Sequence, residues 1–299
     1  MHRGLRPSTE RGADGDARGD GVVVLKFGSS LLDGAAGYRV AVGDIRRSVH
    51  AGKRALVVVS ARRGITDGLL RQARAVTEHA AEHRPGVDDP SLVARLLGTG
   101  EEASAALLGL AVTAAGFRAR VLGVDELGLI TEGPEDDAEP VDVDVAAVRR
   151  TMVRHDVTIV PGFAGRDVRG RPTILGRGGS DYTALFLGRA MGAGEIRLVK
   201  DVDGVFVRDP KAGGLEVGDV EAHARAGQGA RGGNPRARRR VEAEHAKPPV
   251  RALASASWEL VERLGGGVVQ RKALRFAKQE RLAFRVAAPG GVGTRVGGS

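Results

Sequence analysis

The stretch Val22-Val23-Val24-Leu25-Lys26-Phe27-Gly28-Ser29-Ser30 decides how this chain is read. Four consecutive apolar residues without polar alternation suit a strand buried on both faces. The run passes directly into a lysine, a glycine and two serines, a turn of small polar residues. A second run of the same kind, Ala55-Leu56-Val57-Val58-Val59, ends in Ser60-Ala61. Between the two, residues 38–51 carry helical spacing, so the opening is a βαβ unit with parallel strands.

The alternation continues along the chain. Residues 104–117 are an Ala/Leu-rich helix and 118–122 a strand. A strand over 157–160 leads through a Gly-rich connection to Gly176-Arg177-Gly178-Gly179-Ser180-Asp181. A helix over 182–191 precedes the strand 195–199, which enters Lys200-Asp201-Val202-Asp203-Gly204. A last helix is expected over 268–280 and a last strand over 283–287. Short buried strands alternating with helices define an α/β protein with a mostly parallel sheet. No internal repeat is visible.

Composition narrows the function. The chain has 299 residues, no cysteine, 42% hydrophobic and 3% aromatic residues, and a formal net charge of +9. The missing thiols exclude disulfides, thiolate metal sites and a cysteine nucleophile. The scarcity of aromatics argues against base stacking on nucleic acid. No apolar run reaches the ~20 residues of a membrane span, and the first residues carry no apolar signal segment. A cytoplasmic protein is expected. Residues 1–20 balance four arginines against four acids and are expected to be a disordered tail. The surplus charge sits near 222–240, with six arginines and no acid. A mobile basic insertion over about 212–250 is expected there, and a solvated loop is favoured over a polyanion site.

Ligands of open parallel sheets bind at the carboxyl ends of the strands. Three such ends carry small residues with charge. Lys26 with Gly28 and Ser29 offers a cation and backbone amides to an anion such as phosphate. Gly176–Asp181 offers glycines for close backbone approach and Arg177 to grip a carboxylate. Asp201 and Asp203 are carboxylates suited to a nucleotide's Mg²⁺ or sugar. Gly98-Thr99-Gly100-Glu101-Glu102-Ala103 matches a dinucleotide fingerprint in letters only. Such a fingerprint must follow a strand, and residues 91–97 read as helix. No histidine and carboxylate spacing resembles a metal site.

Taken together, the ordered segments resemble the amino acid kinase family, and within it the aspartokinase catalytic domain. They are Lys26-Phe27-Gly28-Ser29-Ser30; Val59-Ser60-Ala61 through Gly64-Ile65-Thr66-Asp67; Gly100-Glu101 with Ser104-Ala105-Ala106-Leu107; Gly162-Phe163 with Gly165; Leu175-Gly176-Arg177-Gly178-Gly179-Ser180-Asp181-Tyr182-Thr183-Ala184; and Asp201-Val202-Asp203-Gly204-Val205 through Asp209-Pro210. The resemblance implies a three-layer αβα sandwich, the amino acid kinase fold, over residues 21–299. It implies an N-lobe of about 21–170 for the amino acid and a C-lobe of about 171–299 for the nucleotide. Thr66, Glu101, Arg177 and Ser180 would bind L-aspartate, Arg177 through a carboxylate and Glu101 through the ammonium. Lys26 and Asp181 would be catalytic. Lys26, Gly28, Ser29, Lys200, Asp201, Phe206 and Lys211 would border ATP, with Mg²⁺ as cofactor.

This chain departs from the family pattern at four places. Ser29 replaces a glycine, Lys200 a threonine, Phe206 a tyrosine, and Gly267 the usual nucleotide-binding lysine. Lys200 is expected to supply the missing charge. Aspartokinases commonly continue into ACT domains, so feedback inhibition through them is not expected here. A homodimer is implied, and a separate homoserine dehydrogenase is a candidate partner, because the opening and the Gly266-Gly267-Val268-Val269-Gln270 segment resemble kinase-like domains that precede that enzyme. The alternative expectation is an impaired kinase-like domain that binds ligand and regulates such a dehydrogenase. Further rivals are another phosphoryl acceptor on the same fold and polyanion binding through the basic loop.

Overall fold

A computed structural model of the chain describes residues 21–81, 89–206, 252–264 and 268–298. The expected tail, the basic insertion over 212–250, Lys211 and Gly267 lie outside the described residues. Two compact units are distinguished: Met1–Val205 with Ala254–Ser299, and Phe206–Leu253. The second falls almost wholly outside the described residues, and the architecture below is that of the first.

The elements alternate as the apolar runs require. Strand β1 (Val22–Phe27) leads through α1 (Gly34–His50) to β2 (Arg54–Val59). Helices α2 (Ile65–Ala81) and α3 (Pro90–Ala114) precede β3 (Ala119–Val121), α4 (Val124–Leu127), β4 (Ile130–Glu132), β5 (Glu139–Asp142) and α5 (Val145–Arg154). Then come β6 (Val157–Pro161), β7 (Ala164–Arg166), β8 (Pro172–Ile174), α6 (Gly179–Met191) and β9 (Glu195–Val199). The described chain ends with β10 (Ser255–Ala256), α7 (Trp258–Arg263), α8 (Arg271–Gln279), β11 (Phe284–Ala287) and β12 (Thr294–Val296).

Eight strands form one sheet in the order β10-β12-β11-β9-β1-β2-β6-β3. Every pairing in it is parallel except β11 with β12. Val23, Leu25 and Phe27 of β1 pack with Val57 and Val59 of β2 under Ile45 of α1 and Leu108 of α3. The other face carries α6, with α8 packed on it and α5 beside it. Helices on both faces leave the central strands no solvent side, which is why they read as unbroken apolar runs. The three-layer αβα arrangement expected from the resemblance is therefore present.

Where the elements differ from expectation, local chemistry explains it. The two helical stretches 91–97 and 104–117 are one helix, α3. Asp89 starts it, accepting from the Ser91 amide at 2.9 Å with Pro90 in the first turn. It stops before Gly116, whose φ of +88° continues no helix. The Gly-rich connection after β6 is in fact the hairpin β7–β8. It belongs to a second sheet of order β5-β4-β7-β8, whose strands are too short to show periodicity. The fingerprint-like glycines fall inside α3, as its position after a helix required. A Cβ on Gly100 would sit 3.0 Å from that of Ala61, so this glycine lets α3 press on the end of β2.

The core is the source of stability. Leu25 is fully buried, whereas Leu110 on the outer side of α3 is 71% exposed. Urea unfolding should show Leu25→Ala losing about 2–5 kcal/mol and Leu110→Ala less than about 0.5 kcal/mol. Equal losses would contradict this packing.

Candidate active site

Strand β1 is where the connectivity reverses. The chain leaves it through α1 to β2 on one side and later reaches β9, on its other side, from α6. A reversal of this kind opens a crevice at the carboxyl ends of the two strands. Side chains alternate along β1, and Val23, Leu25 and Phe27 enter the α1–α3 core, so Lys26 faces the α6 layer. Lys200 stands immediately after β9, its amide donating to the Ala287 carbonyl at 2.9 Å.

Asp181, in the first turn of α6, meets both lysines. Lys26 Nζ lies 2.7 Å from Oδ1 in an ionic contact without hydrogen-bond alignment. Lys200 Nζ donates to Oδ2 at 2.6 Å. The three side chains are 6% (Lys26), 3% (Asp181) and 17% (Lys200) exposed. Burial alone would push the Asp181 carboxyl up, but Lys200 and Lys26 outweigh it and hold it down at about 2. Burial lowers Lys26 to about 8, Asp181 pulling it back up and Lys200 lowering it further. One carboxylate against two ammonium groups leaves a formal positive surplus in a nearly dry site. Such a surplus suits an anionic ligand.

Glu101 is a further buried acid, close enough to Lys26 to feel its charge. It is 3% exposed on α3, and its Oε2 has no hydrogen-bond partner. Burial pushes its carboxyl up to about 7, against the pull of the Ala61 and Glu101 amides and of Lys26. A buried carboxyl lacking a donor is poised to accept one from a ligand.

The Gly-rich run forms the turn into α6. Gly176 and Gly178 adopt φ of +68° and +78°, the left-handed region open to glycine. Arg177 between them is exposed and makes no ion pair among the described residues. Ser180 is buried in the first turn of α6, backed by Gly162, where a Cβ would lie 2.7 Å from that of Ser180. Thr66 is half-buried at the start of α2, just beyond the end of β2.

The remaining expected residues are placed as follows. Gly28 is buried and its amide donates to the Val199 carbonyl at 3.3 Å, joining β1 to β9, while Ser29 is exposed. Asp201 is exposed directly after Lys200. Asp203 accepts from the Ala288 amide at 3.1 Å, so it braces the β11–β12 turn. Phe206 is half-buried and belongs to the second compact unit. Among the described residues no group of three or more histidines and carboxylates converges to hold a metal. No helix there is long and apolar enough to cross a membrane. The resemblance included Gly162 without giving it a role, and sequence reasoning did not single out Asp137 or Lys272, which flank this site. Their contacts join segments too far apart for a spacing pattern to reveal.

The raised Glu101 carboxyl has a measurable consequence. Its ordinary value is 4.5 and its folded value about 7, so the folded protein binds more protons between the two. Stability from this group is complete at the acidic end of that window and falls as pH rises through it. Urea unfolding at about pH 5 and about pH 8 should show the parent losing stability relative to Glu101→Gln over that interval. A parallel pH response in both proteins would contradict the burial of an acid whose Oε2 lacks a hydrogen-bond partner.

The family model described as the amino acid kinase family matches residues 21–217. An aspartokinase of Geobacillus stearothermophilus is 32% identical over 191 residues, covering 64% of this chain and 45% of that protein. An aspartokinase of Corynebacterium efficiens is 36% identical over 191 residues, covering 64% and 44%. The chain thus spans less than half the length of these curated relatives. Among solved structures, aspartokinase III of E. coli, in complex with lysine and aspartate, superposes with a TM-score of 0.68 at 22% identity. That match covers 94% of this chain and 65% of that one. On its fold, on the lysine-flanked aspartate at the switch point of its sheet and on the family match, the chain belongs to the amino acid kinase family.

Proposed function

We infer that this chain is an aspartate kinase domain. It transfers the γ-phosphoryl group of ATP to the β-carboxylate of L-aspartate, giving 4-phospho-L-aspartate and ADP. The observation that carries the reading is the buried Lys26–Asp181–Lys200 cluster at the crevice between β1 and β9. The similarity to aspartokinases and the Leu175–Ala184 run support the choice of acceptor.

The substrate carboxylate is already an ionised nucleophile, so the reaction needs no general base. Its demands are positioning and neutralisation of charge on the transferred group. A β-carboxylate oxygen attacks the γ-phosphorus in line, the bond to the bridging oxygen breaks, and ADP departs with that electron pair. Lys26 sits where it can neutralise the transferred group, with Asp181 fixing the ammonium in place. Lys200 supplies a second cation from the adjacent strand end, in the role the resemblance gives to the lysine replaced by Gly267. Mg²⁺ bound with the nucleotide would supply further neutralisation of the phosphate charge. Asp201, exposed next to Lys200, is the carboxylate suited to share it.

On the acceptor side Arg177 grips the α-carboxylate and Glu101 takes the ammonium. An arriving ammonium favours the ionised form of Glu101, and its protons supply the donor that Oε2 lacks. Thr66 and Ser180 complete the acceptor pocket. The proposal keeps an amino-acid lobe of about 21–170 and a nucleotide lobe of about 171–299, with Arg177 and Ser180 contributed to the acceptor pocket from the second and Lys26 to the phosphates from the first. A cytoplasmic homodimer belongs to the same proposal.

The test is ADP release from the 299-residue chain with Mg-ATP, with and without L-aspartate, trapping the acyl phosphate with hydroxylamine. An aspartate-dependent hydroxamate is expected, with kcat reduced at least about 100-fold in Lys26→Ala. Absence of turnover while aspartate or ATP still raises the melting temperature would contradict the reading. It would point instead to a ligand-binding domain.

A further inference from the structure

The loop that carries Arg177 is enclosed by two segments far from it in sequence. A Cβ on Gly176 would lie 2.0 Å from Oδ1 of Asp137, in the connection between β4 and β5. A Cβ on Gly178 would lie 2.1 Å from Cγ of Gln270, the residue that precedes α8. The backbone on either side of Arg177 therefore runs between two walls with no space for a side chain.

The walls are tied to each other by one residue. Lys272, in the first turn of α8, donates to the Asp137 carbonyl at 2.8 Å, to Asp137 Oδ1 at 2.9 Å and to the Ala138 carbonyl at 2.8 Å. An ammonium group has three protons, and all three are used. The side chain is 17% exposed. An ordinary surface lysine meets one mobile carboxylate and contributes little. Two of the three acceptors here are backbone carbonyls, so the bonds fix the course of the chain as well as offsetting charge.

Each wall also has its own anchor. The β4–β5 connection is bonded to β8 through Ala138 N to Ile174 O at 2.9 Å and Ile174 N to Glu135 O at 2.7 Å. Helix α8 is seated on α6 by the Phe276 ring, 5.2 Å from that of Tyr182 and 5.8 Å from that of Phe186. Helix α6 itself begins at Gly179, directly after the enclosed loop. Arg177 makes no ion pair among the described residues. The enclosed backbone at Gly176 and Gly178 is what the described residues offer to place it.

We propose that Lys272 is a positioning residue for Arg177, its three hydrogen bonds to Asp137 and Ala138 closing the two walls on Gly176 and Gly178. The proposal rests on the reading of Arg177 as the group that grips the acceptor's carboxylate. It deepens that reading by coupling α8 to the acceptor loop through a residue whose three protons are all given to Asp137 and Ala138.

The test combines kinetics with hydrogen exchange of the full chain, using Lys272→Met and Asp137→Ala. In Lys272→Met the amides of residues 176–181 should exchange about tenfold faster, and the KM for aspartate should rise about five- to tenfold. The kcat should stay within about twofold, and the KM for ATP should not move. Asp137→Ala, which removes one acceptor of three, should shift both readouts in the same direction by less. The double variant should be no worse than Lys272→Met, because both act through the same bonds. Unchanged exchange over 176–181 in both variants overturns the proposal, as does faster exchange with an unchanged KM for aspartate. If the parent chain has no aspartate kinase activity, exchange alone decides whether the clasp holds the loop, and only the functional reading fails. Should Lys272→Met not fold, Asp137→Ala gives the same decision from the exposed side of the pair.

Discussion

A single carboxylate shared between two lysines organises this protein. Asp181 enters from helix α6, Lys26 from the end of β1 and Lys200 from just past β9, so three elements meet on one nearly dry ion cluster. Removing such charges from water is costly, and their mutual attraction offsets that cost only when the geometry is good. The sheet supplies that geometry. Parallel pairing in register places Lys26 opposite Leu198, two residues before Lys200, so both ammonium groups reach the same side of the crevice. Counted over these three side chains the cluster is formally positive, and such a surplus suits an anionic ligand.

Much of the fold was legible because the central strands are buried on both faces. Val22–Leu25 and Ala55–Val59 read as unbroken apolar runs, and Glu195–Val199 was placed at its observed bounds. The second sheet was not legible. Strands of three or four residues, such as Ala164–Arg166 and Pro172–Ile174, have no period to detect, and the glycines around them resemble loop. Helix ends were misplaced where backbone geometry decides. Gly116 stops α3 early, and the left-handed turn at Gly178 starts α6 three residues before the expected position.

The site divides in the same way. Lys26, Arg177 and the Asp201 turn announced themselves as small residues beside charge at strand ends. Glu101 carried no local signal, since an acid inside an Ala/Leu-rich helix is unremarkable until the fold buries it; only the resemblance singled it out. Its neighbour Gly100 looked like part of a nucleotide motif and is instead a packing glycine. Lys272 and Asp137 are separated by 135 residues. Only the packing of α8 on α6 brings them together, and no pattern in one sequence encodes that.

The central claim is that the two lysines flanking Asp181 receive the nucleotide phosphates. Calorimetric titration of the 299-residue chain with Mg-ATP, compared with Lys200→Met, tests it most directly. The account predicts ATP affinity weakened about tenfold or more, as expected when a buried cation facing an anion is lost. An unchanged dissociation constant would contradict it, leaving Lys200 a structural partner of Asp181 alone.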